Sequence, residues 1–454
     1  GSSMTNQISR RSLIGGSIAA GAALMASPVM ATKVPQKWDE TVDVLVVGSG
    51  FAGLAAAIEA KKAGCNVVVL EKMPAAGGNS IINGGILTAT GCPQQKMHKI
   101  EDSVDLLEKD ILVAGLYMND RKKVRLMAEH ALSNYEWTVK ELGVEYLPDA
   151  IGQEGGHSVP RYVTTTNGSG SGIVTKEIAM CEKLGVPIRK RCYVEHIIRT
   201  EEGEVLGLEV REGYRFPDAK SGKTKFIRAT KGVVLCYGGF SADVTFRMHQ
   251  DPKLDATLDT TNQPGATSEL WRETAAIGCL QIQADWIQCG PWGNPKEKGM
   301  GIGWQFNQTA AAEYGVWVNT DGKRFVNELA NRKVRADAIM VEQQAGRQCW
   351  ALCNEPNVGP LKKQRPGFLE RMLEQKIVEK YDTLEDLAKG TKIPYENLKA
   401  TIDAFNEAVK SKNDPQLGRY INNDQVPMVD GPWYAGLCLS LIHISEPTRR
   451  RGIS

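Results

Sequence analysis

An α/β fold built around a parallel sheet is predicted by three observations within residues 42–72. Residues 42–47 are a mostly apolar run of strand length, Gly48-Ser49-Gly50 is a tight-turn tripeptide, and residues 52–62 are Ala-rich and helical. Gly64 closes that helix, Val67–Leu70 reads as a second strand, and Glu71 stands at its end. Strand, turn, helix and strand in this order make one βαβ unit. In Gly48-x-Gly50-x-x-Gly53 the first glycine permits the turn, the second lets a pyrophosphate approach the backbone, and the third lets helix pack on strand. The helix start offers free N–H groups and the positive end of its dipole to phosphate. Glu71, roughly 20 residues on, is placed to accept hydrogen bonds from a ribose hydroxyl. A lone glycine motif is weak, but the complete unit points to dinucleotide binding by Gly48, Gly50, Ala52, Gly53, Glu71 and Lys72.

The composition sets the frame. A chain of 454 residues holds roughly two or three domains. Its 42% apolar and 24% charged residues are those of a soluble globular protein. A net charge of +2 gives no electrostatic reason to expect nucleic acid or an acidic membrane surface. The ten cysteines include no CxxC or CxxCH, so a c-type haem site and a zinc or redox dithiol pattern are excluded. Cys349 and Cys353 sit near each other, yet most of the ten read as small buried hydrophobes. Disulfides stay open for an exported chain.

Gly1-Ser2-Ser3 reads as an expression remnant. Residues 9–31 then carry Arg10-Arg11, a Gly/Ala-rich apolar core and the small-residue end Val29-Met30-Ala31, which together make a twin-arginine export signal. The apolar core is shorter than the roughly 20 residues that span a bilayer. The expected location is the periplasm or beyond, and no other segment reads as a membrane span.

Further along, GGNSIINGG at residues 77–85 lets the backbone lie against a flat polar ligand, which nominates Gly77, Gly78, Asn79, Ser80, Gly84 and Gly85 as cofactor contacts. Residues 100–143 have helical periodicity, with His98 and His130 as surface or packing residues. The Gly/Ser/Thr-rich stretch 155–172 either lines a site or connects elements. A helix is expected at 173–184, strands at 188–198 and 205–211 around Glu202-Gly203, and another strand at 231–235. That strand runs into Gly238-Gly239, again suited to close backbone approach. Residues 260–278 read as a polar turn and a helix. After Ile282 the text becomes aromatic and Pro/Gly-broken. Asp321-Gly322 signals a hairpin leading into a helix with a basic start. Helices are expected at 366–380, 384–389 and 395–411, the last with Leu398, Ile402, Phe405 and Val409 at helical spacing.

Taken in order, Gly48-x-Gly50-x-x-Gly53, GGNSIINGG, VVLCYGGF, TTNQPGAT and NTDGKRFVNELANR resemble the flavoprotein subunit family of fumarate reductase and succinate dehydrogenase. The branch is that of the soluble periplasmic fumarate reductases and related enoate reductases, urocanate reductase among them. The similarity runs over residues 42–434. It implies a doubly wound FAD-binding domain at 39–284, with an inserted α+β capping domain at 285–436. Residues 1–38 are then remnant and signal. It also implies FAD as cofactor, a small unsaturated carboxylate as substrate, and a separate cytochrome or quinol-linked electron donor. In such proteins reduced flavin N5 delivers hydride to the β-carbon and an arginine delivers a proton to the α-carbon. The matching arginine is Arg332. With an intrinsic pKa above about 12 it serves as an acid only if held close and re-protonated, and its charge stabilises developing enolate-like charge. The competing reading pairs Arg332 with Glu328 on a helix turn.

Three departures from the family pattern stand out. The relay to that arginine falls on Gln308 and Ala311 here, so it is lost or rebuilt through Glu313, Glu328 or Arg335. Gly290, in Gln288-Cys289-Gly290-Pro291-Trp292, replaces a substrate-binding histidine. With Trp286 and Trp292 nearby, this favours a larger or aromatic unsaturated acid over fumarate, with Asn307, Gln308 and Gly290 as substrate-side positions. Gly265-Ala266-Thr267-Ser268-Glu269 replaces a GATGD-like cofactor stretch, in which Glu269 still accepts a hydrogen bond. Past Pro432–Ala435, residues 439–449 read as a translated library adapter, making 437–454 a non-native tail and His443 no candidate for the missing histidine. The FAD domain is then expected to lack its completing segment. Two alternatives are kept: an enzyme of the 3-ketosteroid dehydrogenase type, using a tyrosine pair in place of Arg332, and an inactive truncated fragment.

Overall fold

The computed structural model describes residues 32–256, 258–298 and 301–444. The expression remnant, the export signal and the tail from 445 onward lie outside the described residues. The chain forms two compact units. Among the described residues, the first comprises 32–76, Ala179–Gly238 and Ser268–Ile282; the second comprises Gly77–Ile178, Gly239–Thr267 and the described residues from Gln283 to Ile444. The boundary expected after 284 has a break close by at Ile282, while 77–178 and 239–267 also join the second unit.

The first unit is a six-stranded sheet in the order Ile188–Arg189, Val67–Leu70, Glu40–Val47, Lys223–Leu235, Val205–Glu212, Cys192–Arg199. Its first four strands run parallel and the last three form an antiparallel meander. Val67–Leu70 is buried throughout, as a central parallel strand must be. Leu45, Val47, Val68, Leu70, Leu208 and Ile227 build the core. The helix Phe51–Lys62 connects the first two strands, as expected. Lys223–Leu235 is much longer than the strand expected at 231–235, because its first half alternates charged and apolar residues in a segment rich in Lys and Arg.

In the second unit, an antiparallel sheet orders Val316–Asn319, Cys349–Asn354, Trp433–Ile444 and Val378–Tyr381. Gln288–Gly293 pairs with the far half of Trp433–Ile444. Both faces of Cys349–Asn354 are covered: Cys349, Ala351 and Cys353 join one apolar cluster, Trp350 and Leu352 another. The strand continues past Cys438 to Ile444, so the stretch read as adapter is structurally continuous with it that far. Helices Val104–Ala114 and Arg121–Lys140 begin at Ser103 and Asp120, whose side chains accept backbone N–H bonds as N-caps.

Two expectations are corrected here. Asp321-Gly322 does turn the chain, but the partner of Val316–Asn319 is Cys349–Asn354, and only a single bridge, Val318 to Arg324, follows the turn. Buried ion pairs of Arg324 with Glu328 and Asp414 draw the chain away from the sheet. The helix expected at 366–380 is instead Phe368–Glu374 followed by strand Val378–Tyr381. Lys376, at a φ of 56°, breaks it.

Candidate active site

The residues nominated from sequence fall into two groups, one on each unit. In the first unit, Gly48 leaves strand Glu40–Val47 with φ 105°, and a Cβ there would meet the Cys236 carbonyl oxygen at 2.1 Å. A Cβ on Gly53 would meet the Gly48 carbonyl oxygen at 1.9 Å. Only glycine fits either place, which brings helix Phe51–Lys62 down onto the turn. Gly50 is the N-cap of that helix, and no acidic residue occupies its first turn. The N–H groups of the helix start and the positive end of its dipole therefore face the turn with no acidic residue in the helix's own first turn. Glu71, 8% exposed, accepts from Ser49 Oγ at 2.5 Å and from Met73 N–H at 3.0 Å. This fixes the carboxylate at the strand end beside the turn. Lys72 and Glu269 form an ion pair at 3.7 Å, and the Gly238 carbonyl accepts from Trp271 Nε1 at 3.1 Å.

On the second unit, Gly77 caps the short 3-10 turn Gly78–Ile81. Asn79 is held by Asn262 at 2.8 Å and by Gln263 N–H at 2.7 Å. Gly84 and Gly85 lie against Trp304 and against Thr165 and Ser169, so these two glycines also serve packing within the protein. Gly239 follows Gly238 across the unit division.

The second unit also holds a buried charged cluster. Arg332 is the first residue of helix Arg332–Gln344, after Asn331, whose side chain accepts from Val334 N–H at 3.0 Å. Arg335, three residues on, shares its helix face. Both are buried, at 2% and 0% exposure. Arg332 Nη1 donates to Gln288 Oε1 at 2.9 Å and Nη2 to Glu154 Oε2 at 3.4 Å. Arg335 Nη2 donates to Glu154 Oε1 at 2.8 Å, and Nη1 to Gln308 Oε1 at 2.7 Å and to the Glu328 carbonyl at 3.1 Å. Two guanidiniums at a helix N-terminus oppose the helix dipole. The carboxylate of Glu154, shared between them, offsets that repulsion.

The Glu328 carboxylate goes to Arg324 and Arg419. It does not hold Arg332, which disposes of the Arg332–Glu328 pairing weighed from sequence. Of the relay groups weighed there, Arg335 is in the cluster, Glu328 contributes only its carbonyl, and Glu313 stands one layer back. The Glu313 carboxylate accepts from Gln153 N–H at 2.9 Å. Burial, reinforced by the Glu154 charge, pushes its pKa well up and so favours the neutral acid. Burial, then the charges of Arg161 and Arg332, drive His157 well below the usual imidazole range, so it is neutral too.

Asn307 and Gln308 lie on a buried π-helical segment, Phe306–Ala312, a geometry frequent at functional sites. Gln308 Nε2 donates to the Gln153 carbonyl at 3.2 Å while its oxygen accepts from Arg335, so it braces the cluster. Asn307 Nδ2 donates to the Leu437 carbonyl at 3.2 Å. Gly290 is paired in the sheet opposite Leu441. Glu154 and Gln288, which grip Arg332, are the residues that sequence reasoning missed. The available signal was an acid directly before Gly155-Gly156 in a Gly-rich loop. A Cβ on Gly155 would meet the Ala330 carbonyl at 2.1 Å, and this close approach delivers Glu154 to the helix start.

Residues 43–445 match a family model described as "FAD binding domain". The chain belongs to this FAD-binding family. Among curated relatives, the acrylate reductase flavoprotein subunit of Shewanella woodyi is 38% identical over 94% of this chain and 84% of its own length. A probable fumarate reductase of Shewanella frigidimarina is 30% identical over 87% of this chain, which spans 63% of that protein. Among solved structures, the open conformation of a flavocytochrome c3 fumarate reductase superposes with a TM-score of 0.62 at 28% identity, covering 98% of this chain and 72% of that one. The cofactor of this FAD-binding chain is FAD, and the chain is an oxidoreductase. The crowded Gly48–Gly53 turn, the acid-free helix start and the buried Glu71 fit the pyrophosphate and ribose of such a dinucleotide. Among the described residues no His/Cys/Asp/Glu group suits a metal ion, all ten cysteines are free thiols, and no helix is long and apolar enough to cross a membrane.

Proposed function

We propose that this protein reduces the carbon–carbon double bond of an α,β-unsaturated carboxylate, with Arg332 as proton donor. Bound FAD, once reduced, supplies the hydride. The observation that carries the reading is Arg332 itself, a buried guanidinium fixed at a helix start by Gln288 and Glu154. A guanidinium held this way attracts a substrate carboxylate, stabilises the enolate-like charge that hydride addition creates, and presents an N–H at a fixed place. Burial excludes water that would otherwise screen these charges. The named activities of the acrylate and fumarate reductase relatives support the same reaction class. Gly290, where a histidine is expected, removes one hydrogen-bonding group, which favours a substrate gripped by a single carboxylate. The reading takes electrons from a separate cytochrome or quinol-linked donor, and the twin-arginine text at residues 9–31 supports a site of action outside the cytoplasm.

The test is oxidation of reduced viologen dye by the FAD-loaded protein, offered acrylate, methacrylate, cinnamate, urocanate and fumarate in turn. Dye oxidation with a monocarboxylate, abolished by Arg332→Ala, is expected. Flavin-loaded protein that oxidises no dye with any of the five would sink the proposal. Export is checked by fractionating cells that carry the intact or Arg10→Lys/Arg11→Lys chain.

A further inference from the structure

Buried arginines of the second unit are matched by other groups of the protein, with one exception among the described residues. Arg161, Arg324, Arg332, Arg335 and Arg419 each pair with a carboxylate, and Arg247 donates to backbone carbonyls alone. Arg365 is 2% exposed, pairs with no carboxylate, and makes one hydrogen bond, from Nη1 to the Gly168 carbonyl at 2.6 Å. Its Nε–H is buried with no acceptor. A guanidinium isolated in this way is costly to bury. Burial pushes its pKa down to about 10, so it still carries its charge at neutral pH. The ionisable neighbour, Tyr162, offers no countercharge, since burial pushes its phenol well above the usual range. Arginine grips a carboxylate edge-on through the parallel N–H bonds of Nε and Nη2. Arg161 holds Asp102 this way, and Arg324 holds Glu328. The same edge of Arg365 meets no acceptor among the described residues.

The surroundings of that edge indicate what it would hold. The guanidinium lies 5.6 Å from the centre of the Trp304 ring. A Cβ on Gly84 would stand 3.4 Å from Nη2, and one on Gly168 would stand 2.7 Å from Nη1, so at both places backbone without a side chain approaches it. The helical turn Gly303–Gln305, which carries Trp304, runs directly into Phe306–Ala312, where Gln308 accepts from Arg335. Trp304 and Gln308 are thus four residues apart, roughly 6 Å along a helix. One short helical stretch, on the scale of a small enoic acid, therefore ties Arg365 to the cluster that holds Arg332. Building on the enoate-reductase reading, we propose that the Nε–Nη2 edge of Arg365 holds the substrate carboxylate, with the double bond directed toward Arg332. Arg332 is then left to face the charge that develops at the α-carbon. A planar pair of N–H donors matches two carboxylate oxygens, and the neighbouring indole offers apolar surface to a short hydrocarbon chain.

The test titrates the FAD-loaded, oxidised chain by calorimetry with propanoate, a saturated carboxylate that cannot be reduced, and with propanamide, its uncharged isostere. Propanoate should bind the wild type, and its Kd should weaken about 10- to 100-fold in Arg365→Met, the usual worth of a hydrogen bond to a charged group. Arg365→Lys keeps the charge and loses the fork, so it should weaken binding by at least about threefold; it decides the matter if Arg365→Met does not fold. Propanamide should bind wild type and Arg365→Met alike. In turnover with reduced viologen, KM for the enoate should rise in Arg365→Met by the same factor as the propanoate Kd, with kcat changed less than about threefold. Flavin content should stay at the wild-type level. Propanoate that fails to bind the wild type, or binds the variants as tightly, would overturn the assignment, as would an equal loss for propanamide. Loss of FAD from Arg365→Met would also overturn it, by giving the edge to a cofactor phosphate. The reductase reading fails separately, through a wild type that oxidises no dye, and the propanoate and propanamide titrations decide the role of Arg365 in either event.

Discussion

Glu177 has 1% exposure, and its Oε1 lacks a hydrogen-bond partner. Burial raises its pKa from 4.5 to about 9. Below pH 4.5 the carboxyl is protonated in folded and unfolded chains alike. Between 4.5 and 9 the unfolded chain releases a proton that the folded one keeps, so stability falls as pH rises and levels off above about 9. Glu177→Leu removes the titration and should stabilise the protein by about 2–4 kcal/mol at pH 8 and far less at pH 5. Denaturant unfolding at the two pH values checks this, and an equal effect at both would refute it. Arg332 and Glu154 show what single residues disclose. Arg332 was legible because its neighbours NELAN form a recognisable string. Glu154 lies 178 residues away in the chain, and its one local mark, the Gly155-Gly156 pair that follows it, does not say which helix it meets.

At the level of elements, helix Arg332–Gln344 begins against its own dipole, and the Asn331 cap is what steadies its first turn. Asn331→Ala should cost about 1 kcal/mol of stability, with a larger fractional loss in turnover, because the same turn aims both guanidiniums. Melting and viologen assays on one preparation separate the two effects. Gly48→Ala makes a different kind of demand. Its Cβ has a backbone carbonyl 2.1 Å away, so strand or turn must shift, and the variant should purify with little or no flavin absorbance. Full flavin content would show that the turn is not the cradle. The βαβ unit was readable because strand periodicity, glycine turn and Ala-rich helix agree at every level. The Asp321-Gly322 hairpin and the 366–380 helix were misread for a shared reason. In each, local signals were overruled by contacts or backbone geometry that sequence periodicity does not carry, buried ion pairs of Arg324 in one and left-handed Lys376 in the other.

Across the second unit, another such long-range tie is the cluster Arg324, Glu328, Asp414 and Arg419, all buried. Arg324 Nη2 lies 2.6 Å from Glu328 and 2.9 Å from Asp414, and Arg419 lies 3.5 Å from Glu328. Both guanidiniums also lie against the Phe405 ring, at 4.8 and 4.9 Å from its centroid. Two positive and two negative charges balance, so the cluster links the chain near Trp317, whose N–H reaches Glu328, to the segment around Asp414 without a net buried charge. Asp414→Asn breaks the balance and should cost about 3–5 kcal/mol, the usual penalty for orphaning a buried charge. Burial works to raise the Asp414 pKa, but the Arg324 hydrogen bond and charge outweigh it and hold the carboxyl below its ordinary 3.8. The sign is therefore opposite to that of Glu177. The stabilisation from Asp414 is fully present above pH 3.8 and is lost as pH falls through the lower, folded-state value. Wild-type stability should fall on the acid side through groups such as Asp414 and decline on the alkaline side through Glu177. In Asp414→Asn the acid-side slope should flatten while the alkaline-side slope persists. A stability–pH curve that shifts down uniformly in this variant would mean that the cluster acts through packing and not through its charges.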